Sequence, residues 1–204
     1  MIKFLRTFVV VLLAGFCVSN AFAVETAEQV LSKCASKISK APSVDIKFNL
    51  NYGDSKSKCE LIISRDKYRL SSADMEVWYD GATQWSYLTS DKEVTITEPL
   101  PEELLESNPF AIITNYKTSF TFRRLAGDKN EIELVAKNKM SSIKKAVITI
   151  DGKTYLPTKL VVTMANGHTF AATVTSAAEG KQLPAATFIY NKNQYPAKTT
   201  IDLR

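Results

Sequence analysis

The sequence has very few of the residues from which enzymes and metal sites are usually built. It contains one histidine, His168, and 3 cysteines in 204 residues. No G-x-S-x-G, C-x-x-C, Walker or G-x-G-x-x-G motif is present. Asp74, Glu76, Asp80 and Glu98 flank aromatic residues, but carboxylates at strand ends and turns are ordinarily solvating. We therefore predict that the protein is not an enzyme and has no catalytic residue, cofactor or bound metal.

Dense charge of one sign is also missing. The formal net charge is only +5, and the longest like-charge runs are pairs such as Arg123-Arg124. Such pairs usually mark solvated positions on a protein surface. The sequence therefore gives little support to nucleic-acid binding.

Long apolar runs are absent except at the start of the chain. Lys3 and Arg6 precede the apolar residues 8–18, and Ala21-Phe22-Ala23 is an A-x-A cleavage site. Cys17 follows the bulky Phe16, which disfavours lipid modification of that cysteine. We predict a signal peptide over residues 1–23, a periplasmic location, and one domain over residues 24–204.

Two cysteines, Cys34 and Cys59, remain after the predicted cleavage. An oxidising compartment allows such a pair to persist as a disulfide. Two small buried residues are an equally good account, because the sequence does not show whether their Cβ atoms lie within bridging distance.

The periodicity of apolar residues predicts one helix followed by many strands. Residues 25–40 have apolar positions at helical spacing, and Thr26 and Gln29 have the spacing of a capping box. Period-two alternation then predicts about eleven or twelve strands, with a helical interruption over residues 98–116. Most connections are too short for crossover helices, so an antiparallel sheet is favoured. The predicted strands are 44–52, 58–65, 67–72, 75–79, 84–89, 93–97, 118–125, 131–136, 146–150, 158–164, 168–175 and 186–190.

An aromatic hairpin gives the chain its most distinctive motif. Asp80-Gly81 is followed by Trp85 and Tyr87, and later by Asn108-Pro109-Phe110. This order resembles the x-DG-x-x-x-W-x-Y hairpin and the N-P-F element of the LolA-like periplasmic lipoprotein carriers. The resemblance covers nearly all of residues 24–204, and is closest to the Bacteroidetes version of the family.

The resemblance implies a mainly β (α+β) fold: an antiparallel, incompletely closed β-barrel of about 11 strands, with an N-terminal helix and short lid helices over an apolar cavity. It implies a monomeric carrier that shields lipoprotein acyl chains. An inner-membrane ABC-type lipoprotein-releasing transporter would supply the cargo, and an outer-membrane acceptor would receive it. The alternatives are a carrier of another amphiphile, such as a glycolipid or an acylated pigment precursor, and a regulatory protein that senses lipoproteins.

The alternation and the lid then suggest which residues line the cavity, although each of them can equally be structural core. The candidates are Phe48, Leu50, Leu61, Ile63, Trp85, Tyr87, Phe110, Ile112 and Ile113. Proteobacterial members of the family tether the lid through an arginine that precedes a proline. Arg65 occupies the matching place, but Asp66 replaces the proline, so a surface ion pair between Arg65 and Asp66 is the alternative.

Overall fold

The computed structural model describes residues 25–101, 103–127 and 130–204. The predicted signal peptide and Cys17 lie outside these residues. Helix α1 spans Ala27–Lys40 and begins with the predicted capping box. The backbone N–H of Gln29 donates to the Thr26 hydroxyl (3.2 Å), and the backbone N–H of Thr26 donates to Gln29 Oε1 (2.8 Å). These bonds satisfy donors at the helix start that would otherwise lack a partner.

The rest of the described chain is dominated by one sheet of 12 strands. Its order is β12-β6-β5-β4-β3-β2-β1-β11-β10-β9-β8-β7, and every neighbouring pair is antiparallel except β12 and β6. The predicted fold class is confirmed, because the sheet is open and has β12 and β7 at its edges. The strands are β1 (Ser43–Tyr52), β2 (Ser55–Ser64), β3 (Lys67–Ser71), β4 (Met75–Tyr79), β5 (Gln84–Leu88), β6 (Glu93–Thr97), β7 (Phe120–Arg124), β8 (Asn130–Ala136), β9 (Ile143–Ile150), β10 (Pro157–Met164), β11 (Thr169–Gly180) and β12 (Thr199–Asp202).

The predicted strand over residues 186–190 is wrong. A 3₁₀ helix, Ala185–Phe188, occupies this region directly after Pro184, and only Phe188 of that turn is buried. The strand that was missed is β12, whose sequence Thr-Thr-Ile-Asp has no apolar alternation. Backbone bonds hold β12 on β6 instead, among them the bond from the Leu203 N–H to the Ile96 carbonyl (2.9 Å).

The sheet is strongly curved around helix α1. This helix contacts both β2 and β7, although five strands separate these two in the sheet. A flat sheet does not allow one helix to touch both. We call the face that packs against the helices the helix face, and the opposite one the outer face. No helix in the described part of the chain has the length and apolar character needed to cross a membrane.

The helix face carries the main core. Buried residues of α1, namely Val30, Leu31, Cys34 and Ile38, meet inward side chains of the strands, of which Ile46 and Leu61 are fully buried. A second, smaller cluster lies on the outer face of β4, β5 and β6. We call it the aromatic cluster; it comprises Trp78, Tyr87 and Val94, with Trp85, Tyr190, Tyr195 and Ala197 packed against them.

Candidate functional site

Between β6 and β7, residues 98–101 and 103–119 form a cover over the helix face, which we call the lid. It contains three short helices: α2 (Leu104–Ser107), α3 (Ala111–Thr114) and α4 (Tyr116–Ser119). The buried Asn108 organises its centre, because its side-chain oxygen accepts a hydrogen bond from the Phe110 N–H (3.1 Å). The Phe110 ring then packs edge-on against Phe48 of β1, at 5.3 Å between ring centroids. The lid is thus fixed to the core at its middle.

A cavity of about 520 Å³ lies between the lid and strands β2, β3 and β4. Its exposed wall is mainly apolar. This volume falls within the range of about 300–1,000 Å³ that is typical of small-molecule sites. The lining residues come from α1, the sheet and the lid, and include Ile38, Ile63, Tyr68, Tyr79, Leu104, Phe110 and Ala111, while Arg65, Asp66 and Lys67 lie at its charged margin. We call this space the lid cavity.

Three polar side chains connect the lid to the sheet beside this cavity. The Tyr68 hydroxyl lies 2.6 Å from Gln84 Oε1 and 2.6 Å from Ser107 Oγ. Ser107 Oγ lies 2.8 Å from the same Gln84 oxygen. One carbonyl oxygen has two lone pairs and can accept from both hydroxyls. We call this arrangement the lid latch, because it joins the end of α2 to β3 and β5.

The latch is electrically neutral over the ordinary pH range. Burial raises the pKa of the Tyr68 hydroxyl above its ordinary value of 10.0. The latch residues were not among the predicted site residues. The register places them together, since Tyr68 pairs with Tyr79 and Tyr79 pairs with Gln84 across three strands.

Arg65 does not make the lid contact predicted for it. It lies in the two-residue turn between β2 and β3, is exposed, and has a left-handed backbone with φ 57°. Its side chain makes neither a hydrogen bond nor an ion pair with any described residue, so the alternative pair with Asp66 is absent too. Asp66 instead lies against the next turn, where a Cβ at Gly81 would come 2.7 Å from the Asp66 carboxylate.

The predicted cavity residues divide between the two faces of the sheet. Six of the nine are buried in the main core on the helix face, and Leu50 is half-buried against it. Ile63 and Phe110 line the lid cavity itself. The six are Phe48, Leu61, Ile63, Phe110, Ile112 and Ile113.

Trp85 and Tyr87 lie apart from this group. They share a face, as the alternation predicted, but it is the outer face, because Trp85 pairs with Trp78 and Tyr87 with Glu76. Tyr195 of the C-terminal segment packs 5.7 Å from the ring of Tyr87. The aromatic hairpin therefore supports the C-terminal segment and does not border the lid cavity.

Cys34 and Cys59 are free, so the disulfide alternative is not realised. Both are buried in the main core. Cys34 lies on the sheet-facing side of α1, and Cys59 pairs with Phe48 across β1 and β2. Burial raises the pKa of the Cys34 thiol to about 12, which keeps it protonated. The two cysteines act as small apolar residues.

Other sites are poorly developed in the described part of the chain. It contains no group of three or more His, Cys, Asp and Glu side chains that could hold a metal ion. The His168 ring contacts the Tyr52 hydroxyl, between the β1–β2 and β10–β11 hairpins. A depression of about 570 Å³ lies beside Lys47, Lys58 and Glu60, whose charges do not suit an apolar ligand.

Comparisons with known proteins agree with this architecture. A family model described as outer membrane lipoprotein carrier protein LolA matches residues 18–168. No curated protein matches the sequence. The structure is similar to that of an uncharacterized conserved protein from Thermus thermophilus, with a TM-score of 0.59 and 11% identity over 86% of this chain and 98% of the other.

Two further solved structures are more distant. A LolA superfamily protein from Nitrosomonas europaea has a TM-score of 0.46 and 10% identity over 82% of this chain and 99% of the other. MucB, in its complex with MucA from Pseudomonas aeruginosa, has a TM-score of 0.43 and 14% identity over 81% of this chain and 61% of the other.

Proposed function

The chain belongs to the family of the outer membrane lipoprotein carrier protein LolA. From this premise we propose that it is a periplasmic carrier, which shields lipoprotein acyl chains on their way from the inner to the outer membrane. It acts by binding and not by catalysis. The observation that carries the proposal is the lid cavity, a mainly apolar space between a thin helical lid and the sheet.

The energetics of acyl-chain transfer suit such a space. Each methylene group that is exposed to water costs about 0.8 kcal/mol. A carrier therefore needs apolar contact area more than directed hydrogen bonds. Ile63, Phe110 and Ala111 offer that area, while the charged margin around Arg65 suits the polar part of a cargo that stays in water.

The lid supplies a route by which cargo enters and leaves. Its helices are only four residues long, and the latch that joins α2 to the sheet consists of neutral hydrogen bonds. Neutral hydrogen bonds contribute a net stability of about 0.5–1.5 kcal/mol each, so cargo of modest affinity can displace the α2 end of the lid, while Phe110 keeps the middle of the lid on the core. An inner-membrane ABC-type transporter that releases lipoproteins and an outer-membrane acceptor are the partners that this role requires.

Native mass spectrometry tests the proposal on protein purified without detergent from the periplasm of its own host. We expect a bound acylated protein or peptide. A bound glycolipid or other small amphiphile would instead assign the cavity to another cargo. An empty protein that also fails to take up a triacylated peptide would refute carriage altogether.

A matched pair of variants ties the result to the lid cavity. Ala111 lines the cavity, so Ala111→Phe should fill it and reduce bound cargo. Ala178 lies exposed on β11, so Ala178→Phe adds the same bulk elsewhere and should leave cargo binding unchanged.

A further inference from the structure

The loop between β8 and β9, residues 137–142, presents one apolar side chain to solvent. Met140 at its tip is 90% exposed, more than the other large apolar residues in the described part of the chain. Val135, on the β8 strand that leads into the loop, is also exposed. We call residues 134–150 the basic hairpin, for the charge described next. Single exposed apolar side chains are ordinary on a protein surface, so Met140 is distinguished by its nearly complete exposure and by the lysines beside it in the chain.

The charged residues next to Met140 in the sequence are all of one sign. Residues 134–150 contain Lys137, Lys139, Lys144 and Lys145 and have neither aspartate nor glutamate. Lys137 and Lys139 both precede the methionine in the same loop, and the Lys137 ammonium also donates to the Lys117 carbonyl (2.6 Å). Lys145 is neutralised by Glu133 at 3.4 Å, whereas Lys139 and Lys144 are exposed and make no ion pair with a described residue. The tip of the hairpin is therefore apolar and carries positive charge on its own residues, while Glu103 of the lid borders the same surface depression as Met140.

The loop is held in shape by its own hydrogen bonds. The Met140 N–H donates to Asn138 Oδ1 (2.9 Å), and the Ser141 N–H donates to the Asn138 carbonyl (3.2 Å). The Ala165 N–H donates to the Ser142 carbonyl (2.7 Å), which ties the loop to the neighbouring hairpin. Met140 is thus displayed by a turn that its own hydrogen bonds hold in shape.

We propose that the basic hairpin is a docking element for the surface of an anionic bilayer. Met140 inserts between lipid headgroups, while Lys137 and Lys139 lie against their phosphates. A bilayer accepts one protruding apolar side chain without a matching pocket. A protein partner would need such a pocket, and would need more apolar surface around the methionine. The proposal goes beyond the carrier function, because it concerns where the protein meets a membrane and not what it binds in the lid cavity.

Sedimentation with lipid vesicles tests this proposal on the whole mature protein. We expect binding to vesicles that contain phosphatidylglycerol, weak binding to pure phosphatidylcholine vesicles, and loss of binding at high salt. Met140→Ser should weaken binding to the anionic vesicles about tenfold. Replacing Lys137 and Lys139 together by glutamine should weaken it about 25-fold, since each lysine contributes about fivefold.

Matched controls separate the hairpin from the general charge and apolarity of the protein. Leu203 is 66% exposed and lies after β12, so Leu203→Ser should leave vesicle binding unchanged. The exposed Lys192 and Lys198, replaced together by glutamine, should also have little effect. Equal losses in hairpin and control variants, or no binding to anionic vesicles, would overturn the proposal. Uptake of an acylated peptide in solution, measured on the same variants, should not change; a failure of that uptake in the unmodified protein would count against carriage alone.

Discussion

Replacing Tyr68 by phenylalanine should loosen the lid while leaving the core beneath it filled. The change removes one hydroxyl, which lies 2.6 Å from Gln84 Oε1 and 2.6 Å from Ser107 Oγ. The two hydroxyls have one proton each, and in the latch both donate to Gln84 Oε1. Ser107 still reaches Gln84 at 2.8 Å in the variant, so Tyr68→Phe loses one neutral hydrogen bond, at about 0.5–1.5 kcal/mol. We therefore expect a cost of about 1 kcal/mol, which raises the open population about fivefold.

Amide hydrogen exchange in α2 and at Asn108 measures this opening. The Asn108 N–H, which donates to the Leu104 carbonyl (2.9 Å), is a direct reporter of the lid. Its exchange should accelerate about fivefold in Tyr68→Phe, because the exchange rate is proportional to the population of the open lid when the lid recloses faster than an open amide exchanges. Amides of β9 and β10, which lie away from the lid, should keep their protection.

Tyr79→Phe is the matched control. Tyr79 is the cross-strand neighbour of Tyr68 and also lines the lid cavity, but its hydroxyl donates to the Gly81 carbonyl (2.9 Å) in a turn of the sheet. This variant should leave lid exchange unchanged. If both variants accelerate lid exchange equally, or if neither does, the latch has been assigned to the wrong residues.

The latch should also be insensitive to pH across the neutral range. Burial disfavours the charged form of a hydroxyl and so raises its pKa on folding. The stability that the neutral, hydrogen-bonded form contributes is fully present below the unfolded pKa. It is lost as pH rises through the folded pKa. The pKa of Tyr68 is raised by burial from 10.0, so lid exchange, corrected for its intrinsic pH dependence, should be constant below that pH. A change in corrected exchange near neutral pH would contradict the neutral latch.

Three further predictions concern the frame that positions the lid. Gly81→Ala should cost about 1–3 kcal/mol of unfolding free energy, measured by urea denaturation, because Gly81 has φ +104° and an added Cβ would lie 2.7 Å from the Asp66 carboxylate. The control Gly53→Ala should cost less, because Gly53 has φ +56° and an added Cβ would have no atom within 4 Å. Arg69→Met should cost about 1.5–3 kcal/mol of unfolding free energy, since it removes two hydrogen bonds to the poorly exposed Glu76 and one to the Tyr195 hydroxyl. The control Arg123→Met breaks a pair with Glu133 in which Arg123 is 70% exposed, and should cost under about 1 kcal/mol. Equal losses of unfolding free energy in the two variants would contradict this account of Arg69. Cys34 and Cys59 should resist alkylation in the folded protein and both react in denaturant, because burial raises the pKa of both thiols; a pair that stays unreactive in denaturant until it is reduced would mean that the two are bridged.

Local signals in the sequence were sufficient where short-range contacts decide the structure. The capping box of Thr26 and Gln29 predicted the start of α1, because both bonds join residues three positions apart. Alternation predicted β1 to β6 to within a few residues and placed Trp85 and Tyr87 on one face. These features depend on backbone geometry that neighbouring residues fix by themselves.

Contacts between distant residues could not be predicted in the same way. The face on which Trp85 and Tyr87 lie is set by the C-terminal segment, which brings Tyr190 and Tyr195 onto them. The lid latch joins residues 16 and 39 positions apart, and neither serine nor glutamine carries a motif that marks such a role. β12 adds to β6 through backbone bonds that its sequence pattern does not mark. In each case the partner is specified by the folded sheet and not by the local pattern.

Photolabelling with a triacylated peptide tests the central claim most directly. The peptide carries a photoactivatable group near the end of one acyl chain, and mass spectrometry of the digested protein locates the label. We predict labelling of residues that border the lid cavity, such as Ile63, Phe110 and Ala111, and reduced labelling in Ala111→Phe. Labelling concentrated on the aromatic cluster of the outer face, or no specific labelling at all, would contradict carriage of acyl chains beneath the lid.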